Sequence, residues 1–338
     1  MKKIVTALTV AAMPFLWSSC TFHQEPDGLG EDPTDVNVTA TVNLNLTLPV
    51  SESSEVDMLP TIADNLTHRF VVEATLPDGT TVDRQTFFEP VEEGKTTYRL
   101  PVRMNLNARQ YKLMVWSDYV LAEKPDSNLV YNPATFMPVM PAYASYPQGN
   151  DRKDCFRACA DLDLRQYADV WDAEVETEVA LERPIGRYEI VTTDLGAFRN
   201  RLLDGSIPGN TFRVRIRYSS YLATGYNVLE NVPKNYLSYM SFIQNINSST
   251  LANPDNAQMR IAFDWLLCNP GDDVTEIPVE IEILNESDTQ VARSFVNIPV
   301  KQGYNTVVTG RFLTSTDQGG VNIDGEYDGT IDINIGKI

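Results

Sequence analysis

The sequence predicts an all-β protein whose mature part forms two antiparallel β-sandwich domains. Its 338 residues exceed the ~250 to 300 residues beyond which a single core rarely grows, so two domains are expected. Short segments of alternating apolar and polar residues run through most of the chain, separated by clusters of Gly, Pro, Asn and Asp. Many short strands punctuated in this way are typical of sandwiches rather than of parallel sheets.

The composition indicates a globular, strongly acidic protein. Hydrophobic residues make up 43% of the chain and charged residues 22%, which is enough to fill cores. The chain has 27 Lys and Arg against 46 Asp and Glu, so its net charge is -19. A surface this acidic repels phosphate backbones, and we expect no nucleic-acid partner.

Residues 1–19 have the organisation of an export signal. Lys2 and Lys3 are followed by the apolar run Ile4–Leu16, which is too short to span a bilayer. Small residues then precede Cys20, an arrangement similar to the lipobox of bacterial lipoproteins, although Trp17 stands where an aliphatic residue is usual. We predict that Cys20 is the lipidated residue, carrying acyl chains such as palmitate. The alternative is an ordinary secretory signal in which Cys20 has no role.

The next segments predict a tether followed by a strand. Residues 20–35 are rich in Asp, Glu, Gly and Pro, which favours a flexible, solvated tether. Apolar residues then occupy every second position of the range Val36–Val50, the period of a half-buried strand. These apolar residues are Val36, Val38, Ala40, Val42, Leu44, Leu46 and Leu48.

The N-terminal sandwich is placed at residues 36–182. The ranges Arg69–Leu76 and Thr80–Phe88 predict a hairpin, because Pro77, Asp78 and Gly79 between them are typical turn residues. Further strands are predicted at Tyr98–Leu106, Tyr111–Tyr119 and Val175–Leu181.

The range Asp126–Asn150 is predicted to be a long, ordered excursion. It contains several prolines and the aromatic residues Tyr131, Phe136, Tyr143 and Tyr146. These rings could present a stacking platform for sugars or could pack over the sandwich, and we favour packing.

The C-terminal sandwich is placed at residues 183–338. Asp194–Leu203 predicts a helix capped by Thr193 or Asp194, and everything after it is expected to be strand or loop. The predicted strands are Thr211–Tyr218, Met259–Leu267, Glu276–Leu284, Val291–Val300 and Asn305–Phe312.

No catalytic or metal site is predicted. The two histidines, His23 in the tether and His68 at the edge of a predicted strand, are expected to be solvated or structural. The cysteines Cys155, Cys159 and Cys268 are odd in number, which excludes a complete disulfide framework, and we expect buried thiols.

A cluster of Asp and Gly near the C-terminus leaves two interpretations open. Its residues are Asp324, Gly325, Asp328, Gly329 and Asp332. Oxygen-rich turns suit calcium, but the spacing differs from that of an EF-hand, and Asp-Gly pairs are more often hairpin turns.

Four segments resemble a known family. They are Tyr111–Tyr119, Val179–Asp194, Phe212–Asn227 and Ile298–Thr314, the last followed by a closing strand region at Val321–Ile335. Together they resemble the fimbrillin-like lipoproteins of Bacteroides-type bacteria, in particular the FimB/Mfa2-like group of fimbrial anchors, with a DUF6562-like sequence.

The resemblance implies fimbrillin/transthyretin-like sandwiches and a non-catalytic anchor or assembly subunit of a fimbria, lipid-anchored at the outer membrane on the cell-surface side. It implies fimbrillin-type partners joined by donation of a β-strand. It also implies that stalk subunits lose their first strand by cleavage after Arg or Lys. This chain has neither residue between Thr21 and His68, so its first strand has no such cleavage point before it. The alternative function is a surface glycan-binding lipoprotein.

Overall fold

The computed structural model of the chain describes residues 34–46, 65–138, 140, 146, 149–271, 273–315 and 332–337. Within these residues the strands fall into two groups along the chain; each group forms two larger sheets, and the second group has a further two-stranded pair. The predicted all-β sandwich class is confirmed. The signal, the tether with Cys20 and the Asp-Gly cluster up to Gly329 lie outside the described residues.

The first group of strands precedes residue 183. Its strands are Asp35–Asn45 (β1), Leu66–Thr75 (β2), Thr81–Pro90 (β3), Thr97–Asn107 (β4), Gln110–Leu121 (β5), Phe156–Asp163 (β6) and Ala173–Ala180 (β7). Between β2 and β3 the predicted turn is present, with Gly79 at a φ of 91° that a side chain would disfavour.

These strands form one sheet in the order β4-β1-β7 and a second in the order β3-β2-β5-β6. Alternate side chains of β1 and β4 meet alternate side chains of β2 and β5 in one apolar core. The pairing of β1 with β7 is parallel, whereas the other pairings of this group are antiparallel. The prediction of antiparallel sheets therefore holds for all but this pair in the first group.

The second group follows residue 183. Its strands are Ile185–Thr192 (β8), Phe212–Tyr218 (β9), Leu222–Asn227 (β10), Val232–Leu237 (β11), Ser241–Asn245 (β12), Met259–Leu267 (β13), Thr275–Asn285 (β14), Gln290–Val300 (β15), Tyr304–Gly310 (β16) and Asp332–Lys337 (β17). The sheets are β12-β9-β14-β15 and β13-β8-β16-β17, with β10-β11 as a separate pair, and β8 pairs with β16 in parallel.

Two helices accompany the second group. The predicted helix is present as Leu195–Leu203 (α1), and its N-cap residue is Asp194. The Asp194 carboxylate makes no capping bond to the helix; it accepts instead from the backbone N–H of Thr314 at 2.8 Å. A second short helix, Ser248–Ala252 (α2), contradicts the expectation of strand and loop alone after α1, and the Asn247 side chain caps it.

The excursion between β5 and β6 packs between the two groups of strands. Its buried residues join a core cluster with β5 residue Trp116 and with residues of β8, β10 and β13. Two of its residues also extend the β10 edge, since Met140 N donates to Thr224 O at 2.6 Å and Tyr226 N donates to Pro138 O at 2.9 Å. The expected packing of the aromatic rings is confirmed for Tyr131, Phe136 and Tyr146, while Tyr143 lies outside the described residues.

Candidate functional site

The first strand, β1, fills a groove between two other strands. It pairs antiparallel with β4, from Asp35 opposite Asn107 to Asn45 opposite Thr97. On its other edge it pairs in parallel with β7, from Val36 opposite Ala173. Both rows of backbone hydrogen-bonding groups of β1 are therefore used within the chain. We call the space between β4 and β7 that β1 occupies the β1 groove.

The inward side chains of β1 are the main reason that the strand stays in this groove. They are Val36, Val38, Ala40, Val42 and Leu44, and each is at most 2% exposed. Fully burying an aliphatic side chain of this size contributes about 1.5 to 3 kcal/mol, so the burial along β1 is worth on the order of 10 kcal/mol. Removing the strand would open a long apolar groove with two unpaired edges, which is the geometry that accepts a donated strand.

The outer face of β1 is polar. Asn37 and Thr39 stand on this face beside Arg103 of β4 and Glu176 of β7, which together line a broad open depression. The contacts across this face are weak, as in the 3.4 Å hydrogen bond from Asn105 to Asn37. The β1 groove therefore has one apolar, sealed side and one hydrated side.

A second surface presents exposed aromatic rings on the β10-β11 pair. Tyr221, Tyr236 and Tyr239 are 69%, 51% and 94% exposed. A small cavity of about 40 Å³ lies beside Tyr221 and Tyr236, and Leu266 and Val300 also line it. The exposure of these rings is not visible in the sequence, because nothing in their local pattern distinguishes an exposed tyrosine from a buried one.

The family of the chain is decided by its sequence. Residues 32–336 match the family described as "Family of unknown function (DUF6562)". The chain belongs to this family. No curated protein sequence matches the chain.

Several solved structures resemble this DUF6562 chain. The fimbrial anchor protein Mfa2 from Porphyromonas gingivalis is 11% identical, with 90% of this chain and 98% of that chain covered and a TM-score of 0.44. A fimbrial assembly protein from Parabacteroides distasonis is 8% identical, with 88% and 99% of the two chains covered and a TM-score of 0.39.

Of the residues singled out in the DUF6562 sequence, Cys20 and His23 lie outside the described part, and Asp332 begins β17. Within the described residues, no group of three or more His, Cys, Asp or Glu side chains could hold a metal ion. None of the helices in the described part is long and apolar enough to cross a membrane.

His68 is not at the edge of a strand, as the sequence suggested, and it is not solvated. It lies within β2, pairs with Glu89 on one side and Tyr119 on the other, and is fully buried. Its ring is 4.6 Å from the ring centroids of both Tyr98 and Tyr119. Burial, aided by the charge of Lys95, lowers the pKa of His68 to about 3, so this histidine is a neutral part of the core.

The three cysteines of the described residues, Cys155, Cys159 and Cys268, are free thiols. Cys155 and Cys268 are buried, as expected, whereas Cys159 is only partly buried. Burial raises the pKa of Cys155 well above its ordinary value and raises that of Cys268 to about 12. Protonated thiols are poor nucleophiles and poor metal ligands, which fits a structural role.

Proposed function

We propose that this protein is a non-catalytic anchor or assembly subunit of a fimbria, held at the outer membrane on the cell surface by a lipid on Cys20. The observation that carries the proposal is the position of β1. The strand that directly follows the lipid-bearing tether fills the β1 groove with its own side chains. A subunit built in this way keeps its anchor joined to its sandwich.

The basic residues of the chain support retention of β1. After Lys3 the first Lys or Arg is Arg69, so neither the tether nor β1 offers a cleavage point to a trypsin-like protease. Arg69 itself is 5% exposed in β2 and donates two hydrogen bonds to Asp118, at 2.9 and 2.6 Å. A protease would have to unfold β2 to reach it. Stalk subunits of the fimbrillins that this sequence resembles are expected to lose their first strand, and this chain is arranged to keep it.

Binding of a fimbrillin-type subunit would then use strand addition. In this mode, backbone hydrogen bonds provide affinity, and alternate side chains that enter pockets fix the register. Because β1 already occupies its own groove, this protein would end a fimbria rather than extend it.

The test is limited proteolysis of the purified mature protein with a trypsin-like protease, followed by sequencing of new N-termini. We expect no cleavage between Cys20 and Arg69 and no filaments. A Glu31→Arg variant adds a basic residue to the tether and serves as the matched positive control, because it should be cut and release the sandwiches from the lipid. Cleavage of the wild type in this range, together with self-assembly into filaments, would rule out the anchor role.

The alternative function, glycan binding, is favoured by the exposed rings of Tyr221, Tyr236 and Tyr239, since aromatic faces stack on sugars. Tyr131, Phe136 and Tyr146 of the excursion are buried and offer no such platform. Carbohydrate-dependent thermal shifts that disappear in Tyr236→Ala would favour this function. Co-purification with a rod-forming fimbrillin that persists in Tyr236→Ala would favour the anchor.

A further inference from the structure

A lysine without any solvent exposure lies in the core of the second group of strands. Lys153 ends the short 3₁₀ helix Asp151–Lys153, between the excursion and β6, and its side chain is 0% exposed. Its Nζ atom lies 2.5 Å from Oδ1 of Asp264 on β13, whose side chain is also 0% exposed. The same Nζ atom lies 2.5 Å from the hydroxyl of Tyr146 and 4.0 Å from the centre of its ring. Lysine is almost never buried completely.

Tyrosine hydroxyls and a backbone amide surround the carboxylate. Tyr218 donates its hydroxyl proton to Oδ2 of Asp264 at 2.6 Å, and the hydroxyls of Tyr218 and Tyr188 are 2.7 Å apart. The backbone N–H of Trp265 donates to Oδ1 of Asp264 at 2.8 Å. These contacts surround a carboxylate whose side chain is 0% exposed.

The segment that carries Lys153 is fixed against β13. The backbone of Gly149 lies so close to the Phe263 carbonyl that a Cβ atom would collide with it. The indole N–H of Trp265 donates to Asp151 at 3.2 Å. Reacting groups that are fixed in this way stay about 3 to 3.5 Å apart, the separation from which reaction proceeds. The effective concentration of one group at the other can then reach about 10⁵ to 10⁸ M.

We propose that Lys153 and Asp264 condense into an intramolecular amide, an isopeptide bond. One proton passes from the ammonium to Oδ2 of the carboxylate, which gives an amine and a carboxylic acid. The amine nitrogen attacks Cγ, and the Trp265 N–H stabilises the charge that develops on Oδ1. The nitrogen then loses a second proton to Oδ2, which leaves as water, so that a C–N bond replaces a C–O bond. No oxidant, reductant or cofactor is consumed.

Burial favours this step in two ways. Desolvation lowers the pKa of Lys153, which raises the share of the nucleophilic uncharged amine. A buried ion pair is also costly, because its two charges are removed from water. Condensation replaces both charges with a neutral amide and expels a water molecule from a dry site, so product formation relieves the desolvation penalty.

The bond would link positions 111 residues apart in the sequence. It would join the segment leading into β6, in the first group of strands, to β13 in the second group. The two groups would then be connected covalently at this point as well as through residues 181–184, and pulling on one group would not separate it from the other.

The test is peptide mapping of the purified full-length protein by mass spectrometry after trypsin digestion. Trypsin does not cut after an acylated lysine, so the bond predicts a branched peptide joining residues 153–157 to residues 261–293. Its mass should be lower than the sum of the two linear peptides by one water molecule, and fragmentation should place the branch at Lys153 and Asp264.

The chain offers an internal control. Lys112 and Asp161 form an ion pair at 2.7 Å with side chains 38% and 65% exposed, and this hydrated pair should remain unlinked. A Lys153→Arg variant keeps the positive charge but lacks the amine, and it should yield only the linear peptide containing Asp264. Recovery of peptides cut after an unmodified Lys153 from folded wild-type protein, with no branched peptide, would overturn the proposal.

Discussion

Replacing His68 with Phe should remove a large part of the pH dependence of folding. The His68 ring is fully buried between Tyr98 and Tyr119, and neither of its nitrogens has a hydrogen-bond partner among the described residues. Phenylalanine has a similar flat ring, needs no partner and cannot be protonated. The substitution therefore isolates the cost of charging this site while it keeps the packing.

The magnitude follows from the pKa. His68 changes from an ordinary pKa of 6.5 to about 3 in the folded protein. Between these values the unfolded chain binds a proton that the folded protein does not, so the free energy of unfolding falls as the pH falls. The slope is about 1.4 kcal/mol per pH unit, which gives about 2 kcal/mol between pH 6.5 and pH 5. Above pH 6.5 both states are neutral, and His68 adds no pH dependence.

The assay is urea unfolding of wild type and His68→Phe at pH 7.5 and pH 5. The wild type should lose about 2 kcal/mol more than the variant between these two conditions. His23→Phe, which changes the other histidine of the chain, is the matched control and should behave like the wild type. If the free energy of unfolding falls by the same amount in wild type and in His68→Phe, then His68 is not a buried, uncharged residue.

Three further predictions concern the anchor, the excursion and the division into domains. Cys20→Ala should move the protein from the detergent phase to the aqueous phase, and unchanged partitioning would contradict lipidation. Gly149→Ala should destabilise the fold by about 1 to 3 kcal/mol, because its new Cβ meets the β13 backbone. Gly196→Ala, where the new Cβ lies in open space on α1, is the control and should be neutral or slightly stabilising in the same denaturation assay. Residues 183–338 expressed alone should melt cooperatively but below the full chain, since Asp264 loses its buried partner Lys153. A melt without a cooperative transition would contradict a boundary at residues 181–183.

Local sequence signals predicted many of the elements, but β6, β10, β11 and β12 were not among the predicted strands. The alternation that begins at Val36 predicted β1, the turn residues before Thr80 predicted the β2-β3 hairpin, and the i, i+3 and i+7 spacing from Leu195 predicted α1. The short helix α2 was missed because five residues carry too little periodicity to be recognised.

The candidate site was predicted only in part. The absence of Lys and Arg between Thr21 and His68 is visible in the sequence. The ion pair of Arg69 with Asp118 is not visible there, because it bridges 49 residues. His68 was misplaced because β2 begins at Leu66, three residues before the predicted start at Arg69. His68 therefore shares the inward face of β2 with Phe70 and packs against Tyr98 of β4.

The all-β class, the acidic charge and the spacing of the strands follow from the sequence alone, since they depend on composition and on patterns within about ten residues. Only the fold shows which strands are neighbours, because pairing depends on contacts between residues far apart in the chain. It placed β1 between β4 and β7, with one antiparallel and one parallel edge. It also brought Lys153 to Asp264 across 111 residues, since only the folded core could enclose both side chains away from water.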